Sequence, residues 1–527
     1  MQYDLMCKTK TVYLNHIIIL LITIISILPK TRYVYDSPSP NNIGHIYTIT
    51  TIEAWKKQGA LHYHFSPVLS YDNPGDKNMY EYKRVADTEG NNYFVSFPPF
   101  SFIIAYIFSL IFYKLNINYL LTLLAGLYHL LTGIFIYLAL NKLFNNNKQT
   151  INISALTGFC IIMFSQALLF HSLSWFPEIS VLPVWTFFIM YIINLQYSNT
   201  LNRKNIAIAG LTGFLLCYSD WLGYFIILSF LVYIMFFNKN LIIKTAGIYL
   251  LLGGAVAMIL TVFQYSQISG IQALFRGWGL RFVERSGLFG NKLSDQGLSW
   301  FNLNTWILAF ARFKQTIAGI GYLSIFIILI YFFLFNRKVK KLFQNVNFIL
   351  LLFIIILPVI LHFILLLNSN IVHIGEWAKA YIPLSFFAAI SIEKIITGYS
   401  KIQTKYTITG LIAGLILSTL VSFQKFNDIM NEYSNNTFIN KCTSFIKSNV
   451  TPQEAVFIKY NPTISFYLPY IEFSVRRNIK IATDTTDAYL KMIDAGHHIG
   501  KFFEFEPDFQ KGKVKKLVSP CQKISLQ

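Results

Sequence analysis

The sequence contains unusually little charge. Only 13% of its 527 residues are Asp, Glu, Lys or Arg, about half of the roughly 25% that is usual in soluble domains. Hydrophobic residues make up 54% of the chain. So few charged side chains cannot cover the surface of a water-soluble protein of this length. The composition therefore excludes an ordinary soluble globular protein.

Acidic residues are scarcer than basic ones. The chain has 24 Asp and Glu against 44 Lys and Arg, which gives a formal net charge of +20. A basic stripe with interleaved aromatic residues, typical of nucleic-acid binding, is absent. Lys and Arg fall mainly in short loops between apolar runs, as the positive-inside rule expects. We therefore predict membrane lipids as partners and no nucleic acid.

The five cysteines are widely scattered and form no CxxC pair or His/Cys spacing typical of a metal centre. The sequence therefore predicts no protein-bound metal site and specifies no cofactor.

Apolar runs of about 20 residues recur along most of the chain, and each is about long enough to cross a ~30 Å hydrocarbon core. The first, Val12 to Leu28, lacks a small-residue cleavage site and is read as a retained anchor. The basic loops alternate well from residue 141 onward, which places the tail outside and favours an odd number of spans. We predict an all-α polytopic membrane protein with about 11–13 transmembrane helices, and either an extra crossing or a re-entrant piece within 98–140. The later runs are 98–113, 117–140, 151–170, 177–195, 206–219, 221–237, 245–263, 318–335, 347–367, 380–397 and 407–424.

Two polar regions interrupt this pattern. Residues 29–97, here called the first loop, form a large outer loop of a transmembrane domain that covers 1–425. Residues 426–527, here called the C-terminal domain, are predicted to be a small soluble α/β domain on the outer side. Its predicted elements are helices at 437–448 and 485–497 and strands at 455–460 and 479–482.

The first loop contains a concentration of ionisable groups. Within it, IYTITTIEAWKKQGAL predicts a short amphipathic helix that ends at Gly59 and places Trp55 at the membrane interface. Long external loops of this kind usually carry a site. For any single residue, the plain alternative is a solvated charge. The ionisable groups are Asp36, His45, Glu53, Asp72, Asp76, Glu81, Asp87 and Glu89.

A first span, a large outer loop with an interfacial helix ending in Gly, and SFPPFSFIIAY at the next span together resemble the GT-C superfamily of membrane glycosyltransferases. Protein mannosyltransferases and aminoarabinose transferases are the most similar types. SLSWFPEISVLPVWTFF, LTGFLLCYSDWLGYF and VHIGEWAKAYIPLSFFAAI also fit, and the architectural resemblance covers 12–424. It implies an enzyme that moves a sugar from a polyprenyl-phosphate-type lipid carrier to a glycan, lipid or protein acceptor on the outer side.

One feature departs from the family pattern. The family usually has an acidic residue, often Asp-Glu, just ahead of the interfacial helix, where this chain has Gly44 and His45. Either Asp36 substitutes, or His45 acts as the base with a different partner, or the register differs.

Sugar transfer from a lipid phosphate needs a base for the acceptor proton, and positive charge for the departing phosphate. Asp36, His45 and Glu53 are the candidate bases. The substrate-binding candidates are Arg276, Arg281, Arg285, Glu178, His373 and Lys379. Arg281 and Arg285 are four residues apart, so a helix would place them on one face. The plain alternatives are arginines on lipid headgroups and ordinary polar turns, and a divalent cation is an alternative source of positive charge.

Two other functions stay open. A transporter or flippase of lipid-linked saccharides would usually show internal repeats, and we find none. A surface-polysaccharide ligase or polymerase would have one large late outer loop, and 264–317 is moderately long. In each case we expect a multi-pass integral membrane protein. In a bacterium it would lie in the inner membrane with its active site facing the periplasm.

Overall fold

The computed structural model describes residues 2–31, 43–79, 85–144, 152–198, 202–238, 240–288, 298–334, 346–398, 401–433, 437–460, 468, 471–510, 513–518 and 521–525. The chain forms two compact units. Unit 1 contains Met1–Tyr35, Leu121–Ile259 and Phe282–Asp428. Unit 2 contains Asp36–Leu120, Leu260–Arg281 and Ile429–Gln527.

Most of the described chain is helical. Short 3-10 segments lie at Pro74–Asp76 and Ile374–Ala380, and a π-helical turn at Leu352–Ile356. The helices are α1 Gln2–Thr31, α2 Ile43–Gln58, α3 Phe100–Ile111, α4 Ile117–Leu143, α5 Ile153–Phe164, α6 Gln166–His171, α7 Pro177–Ser198, α8 Arg203–Ser219, α9 Leu222–Phe236, α10 Leu241–Ser269, α11 Ile271–Ser286, α12 Leu303–Thr316, α13 Ile320–Leu334, α14 Val346–Leu351, α15 Leu357–Leu365, α16 Leu367–Val372, α17 Tyr381–Gly398, α18 Lys401–Tyr433, α19 Thr437–Asn449 and α20 Thr485–Asp494.

The polytopic all-α architecture is confirmed. Among the described residues, α12 and α13 are apolar enough to cross a membrane together but are bent by 101° at their break. Four shorter apolar helices lie at His16–Lys30, Phe100–Ile111, Ile153–Phe164 and Leu222–Phe236. Fewer helices pass the length test than the sequence has apolar runs, because several runs fold into short or broken helices. Within the described part of the chain, six helical segments are long and apolar enough to cross a membrane alone: Ile117–Leu143, Pro177–Tyr197, Leu241–Ser269, Phe348–Leu365, Gly375–Gly398 and Ile402–Asp428.

The run at 98–113 illustrates this shortening. Its helix, α3, has 12 residues, and at 1.5 Å per residue it is about 18 Å long, short of a ~30 Å hydrocarbon core. Of the two alternatives for 98–140, this length favours a piece that does not cross the membrane.

Glycine allows α8 and α10 of unit 1 to approach closely. A Cβ at Gly253 would overlap the backbone carbonyl of Gly210, and a Cβ at Gly213 would overlap that of Leu250. Small residues at such crossings let helix backbones pack in direct contact, which is typical of membrane helices.

Unit 2 contains a small α/β assembly, as predicted. The sheet order is β4-β3-β5-β8, with β3 parallel to β4 and β5, and β8 antiparallel to β5. A separate hairpin pairs β6 with β7, and β1 pairs with β2 in the first loop. The strands are β1 Val85–Ala86, β2 Asn92–Tyr93, β3 Ala455–Lys459, β4 Ile479–Ala482, β5 Ile499–Phe503, β6 Glu506–Gln510, β7 Lys513–Val518 and β8 Cys521–Ser525.

The four predicted elements of the C-terminal domain are confirmed; β3 ends one residue early, at Lys459, and the second helix is three residues shorter than expected. Helix α20 ends at Asp494 rather than at 497, because Gly496 adopts a left-handed conformation with φ +74°. The core of this assembly also contains Ile46 from α2 in the first loop. The assignment of 29–97 to the transmembrane domain stays a prediction.

The predicted helix of the first loop is confirmed, but the predicted place of Trp55 is wrong. Helix α2 ends at Gln58, and Gly59 follows with φ +90°, the conformation that ends helices at glycine. Trp55 is fully buried inside the protein. Its indole N–H donates to the Ser66 carbonyl at 3.2 Å, and its ring packs edge-on against Tyr106.

Candidate functional site

A buried ion pair forms the centre of a polar cluster in unit 1. Glu376 and Lys379 are three residues apart on the 3-10 segment Ile374–Ala380, so their side chains emerge on the same side and bond to each other. Both side chains are only 3% exposed. Buried charges of this kind persist only when they are paired.

His362 on α15 completes the immediate surroundings of this pair. The Lys379 Nζ lies 3.0 Å from His362 Nε2 and 3.2 Å from Nδ1, and the Glu376 Oε2 lies 3.9 Å from Nε2. The Ser369 hydroxyl donates to Glu376 Oε1 at 3.5 Å. The ammonium group of Lys379 is thus held between a carboxylate and an imidazole.

Two further buried carboxylates lie within electrostatic range of Glu376 and Lys379. Asp220, at the break between α8 and α9, is 1% exposed, and its Oδ1 accepts the Leu222 N–H at 2.7 Å. This bond caps the start of α9. Glu178 is 8% exposed in the first turn of α7, and its Oε2 has no hydrogen-bond partner in the described part of the chain.

The cluster contains more acidic than basic side chains. Glu178, Asp220 and Glu376 supply three carboxylates, whereas Lys379 is the buried ammonium and Arg285 is a half-buried guanidinium that interacts electrostatically with Asp220. Carboxylates at membrane depth are functional candidates by default. The cluster can bind hydroxyl groups through its carboxylates and an anion through its cations. Among the described residues, no group of three or more His, Cys, Asp or Glu side chains could hold a metal ion.

Two of the three candidate bases of the first loop, His45 and Glu53, belong to unit 2. Asp36 lies outside the described residues. His45 is 2% exposed on α2, and burial lowers its pKa to about 4, a shift that a hydrogen bond with the Asn118 side chain opposes. Its ring is therefore uncharged at neutral pH. Glu53 is about half-exposed and accepts two hydrogen bonds from the Arg476 guanidinium, at 2.7 and 3.0 Å.

The predicted arginines all lie on α11, so Arg281 and Arg285 share a helix as expected. Arg276 is exposed, whereas Arg281 and Arg285 are half-buried. His373 is exposed between α16 and the segment that carries Glu376. Of the predicted substrate-binding residues, the structure brings Glu178 and Lys379 into one cluster, with Arg285 acting electrostatically on Asp220 in that cluster.

The sequence reasoning missed His362. The sequence does indicate a functional role for His362, because it is an ionisable residue inside the apolar run 347–367. Such residues usually face a protein interior or a cavity.

No protein-family model and no curated protein sequence matches the chain. Solved structures match its fold. An oligosaccharyltransferase of Archaeoglobus fulgidus, in complex with Zn and sulfate, is 14% identical with a TM-score of 0.59, over 92% of this chain and 68% of that one. AglB of the same organism, with an inhibitory peptide and a dolichol-phosphate, is 13% identical with a TM-score of 0.54, over 93% and 69%.

ArnT from Cupriavidus metallidurans, bound to undecaprenyl phosphate, is 9% identical with a TM-score of 0.56, over 97% of this chain and 98% of that one. Identities this low show a shared fold and nothing finer. The fold of this chain is therefore the GT-C fold that the sequence resemblance implied.

Proposed function

We propose that this protein is a membrane glycosyltransferase that moves a sugar from a polyprenyl-phosphate-type lipid carrier to an acceptor on the outer side of the membrane. The observation that carries the proposal is the buried cluster of Glu376, Lys379, His362, Glu178 and Asp220. Fold alone does not determine function, but a cluster of this kind inside a GT-C fold offers groups for both parts of a lipid-linked sugar. The structural similarity to ArnT bound to undecaprenyl phosphate supports this choice of donor.

In the proposed reaction, a base removes the proton of the acceptor hydroxyl, and the acceptor oxygen attacks the anomeric carbon of the sugar. The bond from that carbon to the phosphate oxygen breaks, and the lipid phosphate leaves with the bonding electrons. Cations placed where this charge develops stabilise the transition state. Lys379 and Arg285 would serve there, with Arg276 and Arg281 on the same helix as Arg285.

The remaining assignments follow the predicted roles. Asp36, His45 or Glu53 would act as the base, and the unpartnered Glu178 Oε2 would accept a hydrogen bond from a sugar hydroxyl. His373 would contact the carrier phosphate or the acceptor. A divalent cation would be an alternative to the arginines, because a similar structure was solved with Zn.

Purified protein in nanodiscs tests this function. It should release free polyprenyl phosphate from a polyprenyl-phosphate sugar once a suitable acceptor from a panel of glycans, lipids and peptides is added. Lys379→Ala should slow this release at least about 100-fold per folded molecule, the scale for removing one positioned transition-state contact, with the folded fraction measured in the same preparation. Lys394→Ala, an exposed lysine on the following helix α17, is the matched control and should leave the rate unchanged.

Several outcomes would contradict the proposal or its parts. Movement of the lipid-linked sugar across vesicles without release of lipid phosphate would establish a flippase instead. Undiminished activity after Asp36→Ala, His45→Ala and Glu53→Ala together would refute the assignment of the base. Loss of activity in EDTA, restored by Mn²⁺ or Mg²⁺, would show that a cation stabilises the phosphate.

A further inference from the structure

Two consecutive arginines of the C-terminal domain contact two separate parts of the first loop. Arg477 Nε donates to Asp76 Oδ1 at 2.8 Å. Arg476 donates two hydrogen bonds to the carboxylate of Glu53 on α2. All four residues lie in unit 2. The chain separation exceeds 400 residues in both pairs, so these bonds are purely tertiary.

The Asp76–Arg477 contact has the features of a permanent anchor. The Asp76 side chain is fully buried, and its oxygens also accept from the Asn478 backbone N–H at 3.0 Å and from the Asn73 amide at 2.6 Å. The Arg477 guanidinium also donates to the backbone carbonyls of Thr451 and Glu454. Every group in this contact is thus satisfied within the protein, which makes it costly to open.

The surrounding backbone fits the anchor closely. A Cβ at Gly75 would overlap the carbonyl of Glu454. The Lys77 carbonyl lies 2.7 Å from His497 Nε2, and the Asn78 amide donates to the Ala495 carbonyl at 3.4 Å. Gly75, Lys77 and Asn78 of the first loop therefore all pack against the C-terminal domain.

The Glu53–Arg476 contact has a different character. Both side chains are about half-exposed, and the Arg476 guanidinium lies 4.3 Å from the centre of the Phe473 ring. Arg476 has φ +60°, the left-handed conformation that ends the helical residues 471–475, and the Arg477 N–H closes this end by donating to the Glu472 carbonyl at 3.2 Å. An exposed pair contributes little to global stability, so the two-bond contact between Arg476 and Glu53 is more consistent with setting the place of α2 than with holding the whole fold together.

We propose that Arg476 and Arg477 are positioning residues that hold the first loop for catalysis. Arg477 is the permanent anchor, and Arg476 is an exposed latch that sets the place of α2, the helix that carries His45 and Glu53. The catalytic part of this inference rests on the proposed transferase function. The structural part does not, because it concerns only contacts within unit 2.

Hydrogen–deuterium exchange of the full-length protein tests the structural part. Arg476→Gln should speed exchange of the α2 amides by about two- to fivefold, because an opened latch raises the population of the open form and an exposed pair shifts that equilibrium only modestly. Its thermal midpoint should change by no more than about 2 °C, as expected for an exposed pair. Glu504→Gln removes another partly exposed ion pair, with Lys459, inside the C-terminal domain, and should leave α2 exchange unchanged.

A charge reversal separates positioning from mere structural support. Glu53→Arg and Arg476→Glu should each speed α2 exchange, whereas the double variant should restore protection. In the transfer assay, Arg476→Gln should lower kcat about tenfold or more with KM for the lipid-linked sugar changed less than about twofold, because displacement of a catalytic group by about 1 Å is costly.

The outcomes are distinguishable. Unchanged α2 exchange in Arg476→Gln and in both single reversals would overturn the latch. Faster exchange with unchanged kcat would overturn the catalytic role of the latch. If the wild-type protein transfers no sugar to any acceptor while the exchange results hold, the proposed function fails, but the anchor at Arg477 and the latch at Arg476 still hold the first loop in place.

Discussion

Removal of the Lys379 charge should destabilise the protein more than removal of its carboxylate partner. Lys379→Met keeps most of the side-chain volume but removes the ammonium partner of the buried Glu376, which keeps the Ser369 hydroxyl at 3.5 Å and the His362 Nε2 at 3.9 Å. Breaking a buried pair from one side costs about 3–5 kcal/mol. Glu376→Gln should cost less, because His362 remains 3.0 Å from the ammonium.

Neutralising both partners gives the decisive number. The double variant Glu376→Gln with Lys379→Met leaves no uncompensated charge in the pair, so its cost should be about 1–2 kcal/mol, well below the sum of the single costs. The coupling free energy should then be at least about 2 kcal/mol, a 30-fold effect on the unfolding equilibrium.

Equilibrium unfolding of the purified protein in mixed micelles measures all four members of this cycle. Lys394→Met on α17 serves as the control for loss of a lysine, since that side chain is exposed. Single costs that simply add in the double variant would refute the reasoning. Such a result would mean that Glu376 and Lys379 do not depend on each other for burial.

Two further changes should affect stability through separate mechanisms. Burial lowers the pKa of His45 from 6.5 to about 4, so the unfolded chain binds more protons between these values. The His45 contribution, about 3 kcal/mol, is present above pH 6.5 and is lost as the pH falls from 6.5 toward 4. Unfolding of the wild type and His45→Gln at pH 7.5 and 4.5 should show a smaller loss in the variant, and equal losses would contradict this. Gly253→Ala should force α10 away from the Gly210 carbonyl and cost about 1–3 kcal/mol, whereas Gly410→Ala on α18, which has open space beside it, should not destabilise in the same melting experiment.

The fold could largely be predicted from composition and hydropathy. A membrane requires apolar segments of about one length, and it requires every backbone N–H and C=O group in them to be hydrogen-bonded. The breaks within these apolar segments could not be predicted from the sequence. The run 151–170 divides at Ser165 into α5 and α6, and α12 meets α13 at 101°. Hydropathy averages over these positions, whereas the breaks depend on the neighbours that satisfy the local backbone.

The candidate site was predictable only where its residues are close in sequence. Glu376 and Lys379 are three residues apart in one polar stretch, so a pairing between them is a local property. Asp220, Glu178 and His362 reach the same cluster from three different helical regions. These three residues come together only when α7, α9 and α15 pack against one another. No short stretch of the sequence specifies that packing. The same holds for Arg476 and Glu53, whose pairing spans 423 residues.

The length of α3 leads to a final prediction about topology. The alternation of basic loops from residue 141 onward requires either one extra crossing before it or one apolar piece that does not cross the membrane. At about 18 Å, α3 is too short to cross. Both of its ends should then lie on the outer side, including the exposed Lys114 between α3 and α4.

A cysteine at Lys114, in a background free of other reactive cysteines, should therefore react with a membrane-impermeant maleimide added from outside. It should react as readily as a cysteine at His62, a 43%-exposed side chain of the first loop. Labelling of Lys114→Cys only after the membrane is opened would show that α3 crosses. Because the first loop and the C-terminal domain contact each other, they lie on the same side of the membrane. If α3 crosses, an odd number of spans would then need either an extra crossing or a different non-crossing piece between the first loop and residue 141.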